Sequence, residues 1–237
     1  MRTEIPVPAA VSTPDETTAP ASSTTSSWPL AILWLLIAVA GFGSFLVLMG
    51  LVWSHTTIPF DQPLLDLARG WNAWSGLWDA LSLAAYLPLL AVTVGLVLWL
   101  WWKHRRREAV LTVVVLVIVT ACSEAVKQLV ARPRPPDTTT VVPGVVYSFP
   151  SGHVLEVAAI FGIIAVLMWR GSLPRWAKLV VTVLLSTLVV LVAVGRVSLD
   201  AHYPSDVLAG FVAAVGVVAL FVLLTWPRDD GSNRGHA

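Results

Sequence analysis

Residues 30–53 have the sequence LAILWLLIAVAGFGSFLVLMGLVW and carry no charge over 24 positions. At 1.5 Å per residue, a helix of this length crosses the roughly 30 Å of hydrocarbon in a bilayer. In lipid every backbone N–H and C=O must be paired inside its own segment, so this stretch is predicted to be a transmembrane helix. Five similar apolar runs follow, at residues 80–102, 109–126, 154–169, 179–194 and 207–226. The expected fold is therefore all-α, a polytopic membrane protein with six transmembrane helices.

The composition supports a membrane protein. The 237 residues are 57% hydrophobic and 12% charged, against about 25% charged in soluble domains. A cytosolic globular enzyme is therefore excluded, and a net charge of +1 leaves no basic face for nucleic acid. The only cysteine, Cys122, excludes an internal disulfide and a cysteine-cluster metal site.

Basic residues indicate the orientation. One cluster, residues 103–107, lies between the second and third runs, and Arg170, Arg175 and Lys178 lie between the fourth and fifth. Cytoplasmic loops carry the excess of Lys and Arg. With six spans, this distribution predicts both termini in the cytoplasm of a multi-pass protein of the cell membrane.

The domain organisation is one membrane domain with two tails. Residues 28–227 are predicted to form the six-span domain. Residues 1–27, rich in Ser, Thr, Pro and Ala, are expected to be a disordered cytoplasmic tail, and residues 228–237 a short cytoplasmic tail. Residues 64–79 carry tryptophans at helical spacing, which predicts an amphipathic helix on the outer leaflet, either an anchor or a lid over lipid entry.

A cationic segment, KQLVARPRP at residues 127–135, ends the third run. Pro133 stops the helix, so an arginine beside it can fold back toward Lys127. Lysine and arginine together suit the oxygens of a phosphate. Spacing alone leaves both Arg132 and Arg134 open as the second ligand. The alternative is a basic cluster bound to lipid headgroups.

Pro150-Ser151-Gly152-His153 opens the fourth run on the same membrane face. Free N–H groups at a helix start bind anions. Gly152 lets a phosphate approach the backbone, and Ser151 adds a hydroxyl. His153 is placed to protonate a leaving oxygen. The alternative is a serine N-cap beside an interfacial histidine.

The third polar segment joins the fifth and sixth runs and contains Arg196, His202 and Asp206. His202 and Asp206 are one helical turn apart. Asp206 is expected to bond one ring nitrogen, fix the tautomer and leave the other nitrogen free to attack. Arg196 adds a third cation. The alternative is an interfacial salt bridge.

Together these motifs resemble the phosphatidic acid phosphatase type 2 superfamily, which includes relatives of the vanadium haloperoxidases. The resemblance implies that His202 is the nucleophile oriented by Asp206, and that His153 protonates the leaving group and then activates water. It also selects Arg134 over Arg132. The implied phosphate-binding residues are Lys127, Arg134, Ser151, Gly152 and Arg196. No metal or other cofactor is implied, and vanadate is expected to inhibit.

Two positions depart from the family pattern. The third motif usually begins Ser-Arg but has Gly195 before Arg196, which is expected to cost one hydrogen bond to the phosphate. The position two before the nucleophile, often Gly, is Asp200 and adds a negative charge.

Other polar residues are expected to have lesser roles. Glu124 is predicted to pair with Lys127, and Asp61 to act as a helix cap. Glu156 is left between a structural role and a contact with His153 or a headgroup. His55 and His104 are expected at the membrane interface.

The resulting expectation is a lipid phosphatase that works at the outer membrane face through a phosphohistidine. The substrates considered are a polyprenyl pyrophosphate, slightly favoured, phosphatidylglycerophosphate and phosphatidate. Transfer of the phosphoryl group to an alcohol is the alternative. A non-catalytic lipid-phosphate binder is disfavoured because His153 and His202 are both present.

Overall fold

The computed structural model describes residues 28–136 and 146–226, without the side chains of Asn72, Asp79 and residues 81–87. Within these ranges the structure is helical, apart from turns and one isolated antiparallel bridge between Pro133 and Tyr147. A 3₁₀ helix (Asn72–Trp74) precedes the third α-helix. The α-helices are α1 (Trp28–Trp53), α2 (Asp61–Arg69), α3 (Ser75–Trp102), α4 (Arg106–Val130), α5 (Gly152–Trp169), α6 (Arg175–Ser198) and α7 (Pro204–Leu224). The two predicted tails, 1–27 and 228–237, lie outside the described residues.

Each of the six apolar runs falls on a helix, so the all-α prediction is confirmed for the described part of the chain. Five helices, α1, α4, α5, α6 and α7, are long and apolar enough to cross a membrane. The apolar stretch described on α3 is shorter, Pro88–Trp102. The chain is thus a multi-pass membrane protein with five candidate spans, while the sixth span stays a prediction.

The predicted amphipathic helix over residues 64–79 is wrong as one element. Helix α2 ends at Arg69, a 3₁₀ turn follows, and Ser75 already begins α3. Gly70 lies at the break, where glycine's weak helix propensity favours a stop. The buried residues of α2 are Asp61, Leu65 and Ala68, so the amphipathic pattern belongs to this shorter helix.

Helix α5 lies at the centre of the bundle, and most of its residues are buried. It packs against α7 and α6, and α7 packs in turn against α1. A β-carbon on Gly41 of α1 would lie 2.7 Å from the backbone nitrogen of Gly216 on α7. Glycines at such contacts let helix backbones touch, the usual way that membrane helices gain dispersion energy.

The two ends of the bundle differ in chemistry. At one end Arg170, just after α5, donates to the Thr225 hydroxyl (2.7 Å) and lies 3.7 Å from Glu108 on α4. The basic turn of residues 103–107 joins α3 to α4 at this same end, and its last two residues begin α4. The end of α4, the start of α5, the end of α6 and the start of α7 therefore collect at the opposite end.

Candidate active site

The second and third polar motifs are in direct contact. The Ser151 N–H, just before α5, donates to the Asp206 carbonyl in the first turn of α7 (3.0 Å). A β-carbon on Gly210, one turn further along α7, would lie 2.6 Å from the Ser151 carbonyl oxygen. The absent side chain thus allows α7 to reach the start of α5.

His202 lies in the loop between α6 and α7 and is 2% exposed. Its backbone N–H donates to the Arg196 carbonyl (3.2 Å). Its Nδ1 is 2.7 Å from the Ser148 carbonyl oxygen. Because a carbonyl only accepts, Nδ1 carries the proton and Nε2 keeps its lone pair. The imidazole is therefore held in the tautomer that a nucleophile requires.

The prediction that Asp206 bonds the His202 ring directly is wrong. The Asp206 Oδ2 atom is 3.8 Å from Nδ1, beyond hydrogen-bond distance, and accepts instead from the Tyr203 N–H (2.9 Å). Asp206 is the third residue of α7 and reaches back to the N-cap in the manner of a capping box. Ser148 occupies the position expected for Asp206, and sequence spacing gives no signal for a backbone carbonyl 54 residues away.

Burial lowers the pKa of His202 to about 4. The neighbouring Asp206 carboxylate acts in the raising direction, while the charges of Arg196 and Arg134 act in the lowering direction. Burial dominates because charging an imidazole inside the protein loses its hydration. At neutral pH the ring is therefore uncharged.

His153, the second residue of α5, is brought into the same cluster. Its side chain lies within electrostatic range of one imidazole and three cations: His202, Arg196, Lys127 and Arg134. The two histidines and the three predicted cations thus converge, although they come from three separate motifs of the chain.

Gly152 begins α5 against the side chains of α4. A β-carbon there would lie 3.1 Å from Ser123 Oγ and 3.4 Å from Lys127 Nζ. Lys127 and Ser123 are one helical turn apart and both face the start of α5. Ser123 was not predicted as a site residue; its signal in the sequence is a hydroxyl one helical turn before the lysine.

Several buried polar atoms point to a ligand. Among the described residues, Ser123 Oγ, Ser151 Oγ and Arg134 Nε have no hydrogen-bond partner. Ser151 occupies the N-cap position but makes no capping hydrogen bond, so the simple N-cap alternative fails. Unsatisfied buried groups are costly, and their presence beside a helix N-terminus fits an anion that binds there.

The structure separates the two arginines that spacing left open. Arg132 donates to Ser205 Oγ (2.8 Å), Asp206 Oδ1 (2.5 Å) and Asp61 Oδ2 (2.7 Å). Burial acts to lower its pKa, but the two carboxylates outweigh burial and raise it. The guanidinium also stacks 3.9 Å from the Tyr203 ring centre. Arg132 is thus committed to protein partners.

Arg134 has a different environment. Its Nη1 donates to the Ala201 carbonyl (3.1 Å), next to His202. Burial lowers the Arg134 pKa, which Asp206 partly offsets, and an arginine stays charged even so. Arg134 therefore presents a cation to the cluster, as the resemblance implied.

A family comparison agrees with this geometry. The model of the PAP2 superfamily matches residues 108–230, more than half of the chain. The chain belongs to the PAP2 superfamily. The match covers all three polar motifs and helices α5, α6 and α7 in full.

A curated protein and a solved structure are similar to this PAP2 chain. Phosphatidylglycerophosphatase B of Bacillus subtilis (strain 168) is 32% identical over 103 residues, covering 43% of this chain and 49% of the relative. The aligned part is thus about half the length of that relative. A crystal structure described as the first transmembrane PAP2 type phosphatidylglycerolphosphate phosphatase from Bacillus subtilis covers 78% of this chain. The two structures superpose with a TM-score of 0.63 at 22% sequence identity, and the matched region covers 93% of the crystallised chain. This similarity shows a shared fold.

The two departures from the PAP2 pattern have structural settings. Asp200 has a left-handed backbone (φ 51°), a conformation natural for glycine and tolerated by aspartate. Its Oδ1 accepts from Arg69 Nε (2.9 Å), so its charge is offset by an ion pair. Gly195 is buried near the end of α6.

The three other acidic residues singled out in the sequence have local partners. Glu124 lies 3.5 Å from Lys127 Nζ, as predicted, and accepts from Gln128 (2.9 Å). Glu156 accepts from Thr120 on α4 (2.9 Å). Asp61 acts as a helix cap, as predicted, and the helix that it caps is α7, because its Oδ1 accepts the Ser205 N–H (2.8 Å). His55 and His104 are exposed in the turns after α1 and α3.

Proposed function

We propose that this PAP2 protein is a lipid phosphatase that works through a phosphohistidine on His202. The observation that carries the proposal is the convergence of His153, His202 and three cations around unpartnered buried polar atoms at the start of α5. Such a site has the charge to hold a phosphate and the groups to transfer one.

In the proposed mechanism, His202 Nε2 attacks phosphorus while the ester P–O bond breaks. His153 gives its proton to the leaving oxygen. Water then loses a proton to His153 and attacks the phosphohistidine; the N–P bond breaks and inorganic phosphate leaves. Lys127, Arg134, Arg196, Ser151 and the Gly152 N–H would stabilise the negative oxygens throughout. The mechanism needs no metal ion because these side chains supply the positive charge.

We propose phosphatidylglycerophosphate as the first substrate to test, because the curated relative is a phosphatidylglycerophosphatase. An apolar cavity of about 250 Å³ among α1, α4 and α7 is lined by Ser123 and Pro150 near the cluster. Its lining suits the hydrocarbon of a lipid. Polyprenyl pyrophosphate and phosphatidate are the comparison substrates, and an added alcohol acceptor tests for phosphoryl transfer.

We also propose six spans, with residues 28–227 as the membrane domain and both tails cytoplasmic. The basic turn and Arg170 lie at the bundle end opposite the cluster. With the positive end in the cytoplasm, the active site faces the extracytoplasmic side of the cell membrane. Reporter fusions at each terminus test this orientation, and an external reporter signal at either terminus would refute it.

His202→Ala is the direct test. Purified protein in detergent is assayed for phosphate release, and a rapid alkaline quench with labelled substrate detects the covalent phosphoenzyme. Loss of both signals is expected. His55→Asn, an exposed histidine whose left-handed backbone (φ 54°) asparagine also adopts, is the matched control and should keep full activity. A fully active His202→Ala protein would end the assignment, and vanadate should inhibit the wild type.

A further inference from the structure

Helix α2 lies directly on the segment that carries the proposed nucleophile. Its buried side chains Leu65 and Ala68 pack against Val197 of α6, in a cluster that includes Tyr203 and Val207. Val197 and Val207 flank the His202 loop, defined as residues 199–203, and Tyr203 is the last residue of that loop. The apolar contact places one face of α2 against both sides of this loop.

The first residue of α2 is tied to the end of the loop. Asp61 accepts from the Ser205 N–H (2.8 Å), the Ser205 hydroxyl (2.7 Å) and Arg132 Nη2 (2.7 Å). The same guanidinium donates to Asp206 (2.5 Å). Asp61 thus fixes the start of α7 directly, and through Arg132 it holds the carboxylate nearest His202.

The last residue of α2 is tied to the beginning of the loop. Arg69 Nε donates to Asp200 Oδ1 (2.9 Å), two residues before His202. The Asp200 side chain is 4% exposed, and its backbone is left-handed. A partly buried ion pair such as this one contributes little net stability, because desolvation offsets the attraction, but it does select one geometry. Its location at a non-helical turn indicates a role in fixing that turn.

We propose that α2 is a positioning element that clamps the His202 loop at both ends, with Asp61 and Arg69 as positioning residues for the nucleophile. The inference rests on the proposed function, since it concerns the same histidine. The contacts of both residues run to the protein around the loop that orients the imidazole, rather than to the proposed phosphate-binding residues. Misplacement of a catalytic group by about 1 Å costs up to roughly a hundredfold in rate.

The test uses the full chain in detergent with the lipid phosphate that the wild type hydrolyses. The variants are Asp61→Asn, Arg69→Gln, Asp200→Asn and the double variant Arg69→Gln/Asp200→Asn. Asparagine keeps the left-handed preference at position 200, so Asp200→Asn removes the charge alone. Gln62→Ala, at an exposed position of the same helix where the side chain donates to Asp66 rather than to the loop, is the matched control and should stay within twofold of wild type.

The expected result is a split between kcat and KM. Each single variant should lose about tenfold or more in kcat, because a loosened loop misaims the imidazole, while KM stays within twofold. The double variant should be no worse than the poorer single variant, because both substitutions remove the same ion pair. The thermal unfolding temperature of each variant distinguishes a misplaced imidazole from a protein that is not folded. If Arg69→Gln does not fold, Asp200→Asn tests the same ion pair.

The outcomes distinguish the two proposals. If His202→Ala is inactive but Asp61→Asn and Arg69→Gln keep wild-type kcat, the clamp is refuted and the proposed function stands. A rise in KM with unchanged kcat would also refute the clamp, since it would place these residues in substrate binding. If His202→Ala is fully active, the proposed function fails and the clamp fails with it.

Discussion

Gly152→Ala should damage the phosphate site without harming the fold. The added β-carbon would lie 3.1 Å from Ser123 Oγ and 3.4 Å from Lys127 Nζ, against about 3.5–4.0 Å for relaxed contacts. Ser123 Oγ must therefore move by a few tenths of an ångström, and Lys127 Nζ is left at bare contact distance from the new methyl group. A full hydrogen bond to a charged group contributes about 1.5–3 kcal/mol. Losing about half of it lowers kcat/KM by roughly four- to twelvefold.

The thermal stability of Gly152→Ala should not decrease along with its activity. Alanine is favoured over glycine inside helices by about 1 kcal/mol, so the unfolding temperature in detergent should not fall. The assay measures phosphate release across substrate concentrations, together with the inhibition constant of vanadate. That constant should rise by a factor similar to the loss in kcat/KM, because the crowded serine and lysine would bind both anions.

The matched control is Gly43→Ala, since a β-carbon on Gly43 in α1 has nothing within 4 Å. It should leave kcat/KM and vanadate inhibition unchanged. Wild-type kcat/KM in Gly152→Ala would refute the placement of Lys127 beside the helix start. A loss that tracks a lower unfolding temperature would refute the local explanation.

Three further predictions concern charge, packing and pH. Arg134→Gln should lower kcat/KM at least tenfold and leave thermal unfolding unchanged. Arg132→Gln should instead lower the free energy of unfolding by about 3–5 kcal/mol, because it leaves buried carboxylates unpaired. Equal unfolding of the two variants would contradict this division. Gly210→Ala should destabilise the bundle by about 1–3 kcal/mol, because its β-carbon meets a backbone carbonyl oxygen at 2.6 Å; an unchanged denaturation midpoint would count against it. Because the pKa of His202 is lowered to about 4, the imidazole stays neutral and nucleophilic at pH 5–7. The value of kcat/KM should therefore fall on the acid side only as the pH approaches 4. A fall caused by this group near pH 6.5 would be inconsistent with its burial.

Much of this molecule follows from the sequence. Uncharged runs such as residues 30–53 have one stable form in lipid, because an isolated backbone there must pair with itself. The structure brings the histidines and cations of the three motifs together, while their role in phosphate chemistry, which the motif spacing indicates, stays a prediction. These inferences depend on local chemistry and need no knowledge of distant contacts.

The tertiary structure decided what spacing left open. Arg132 and Arg134 are two residues apart with the same side chain, yet one is held by Asp61 and Asp206 while the other faces the cluster. The partner of His202 Nδ1 is the Ser148 carbonyl, a backbone atom that carries no sequence signal. The tie of α2 to the His202 loop through Arg69 and Asp200 spans 131 positions. A local pattern specifies which chemistry a segment offers, but the choice among equivalent partners depends on which side chains the packed helices bring within about 3 Å of each other.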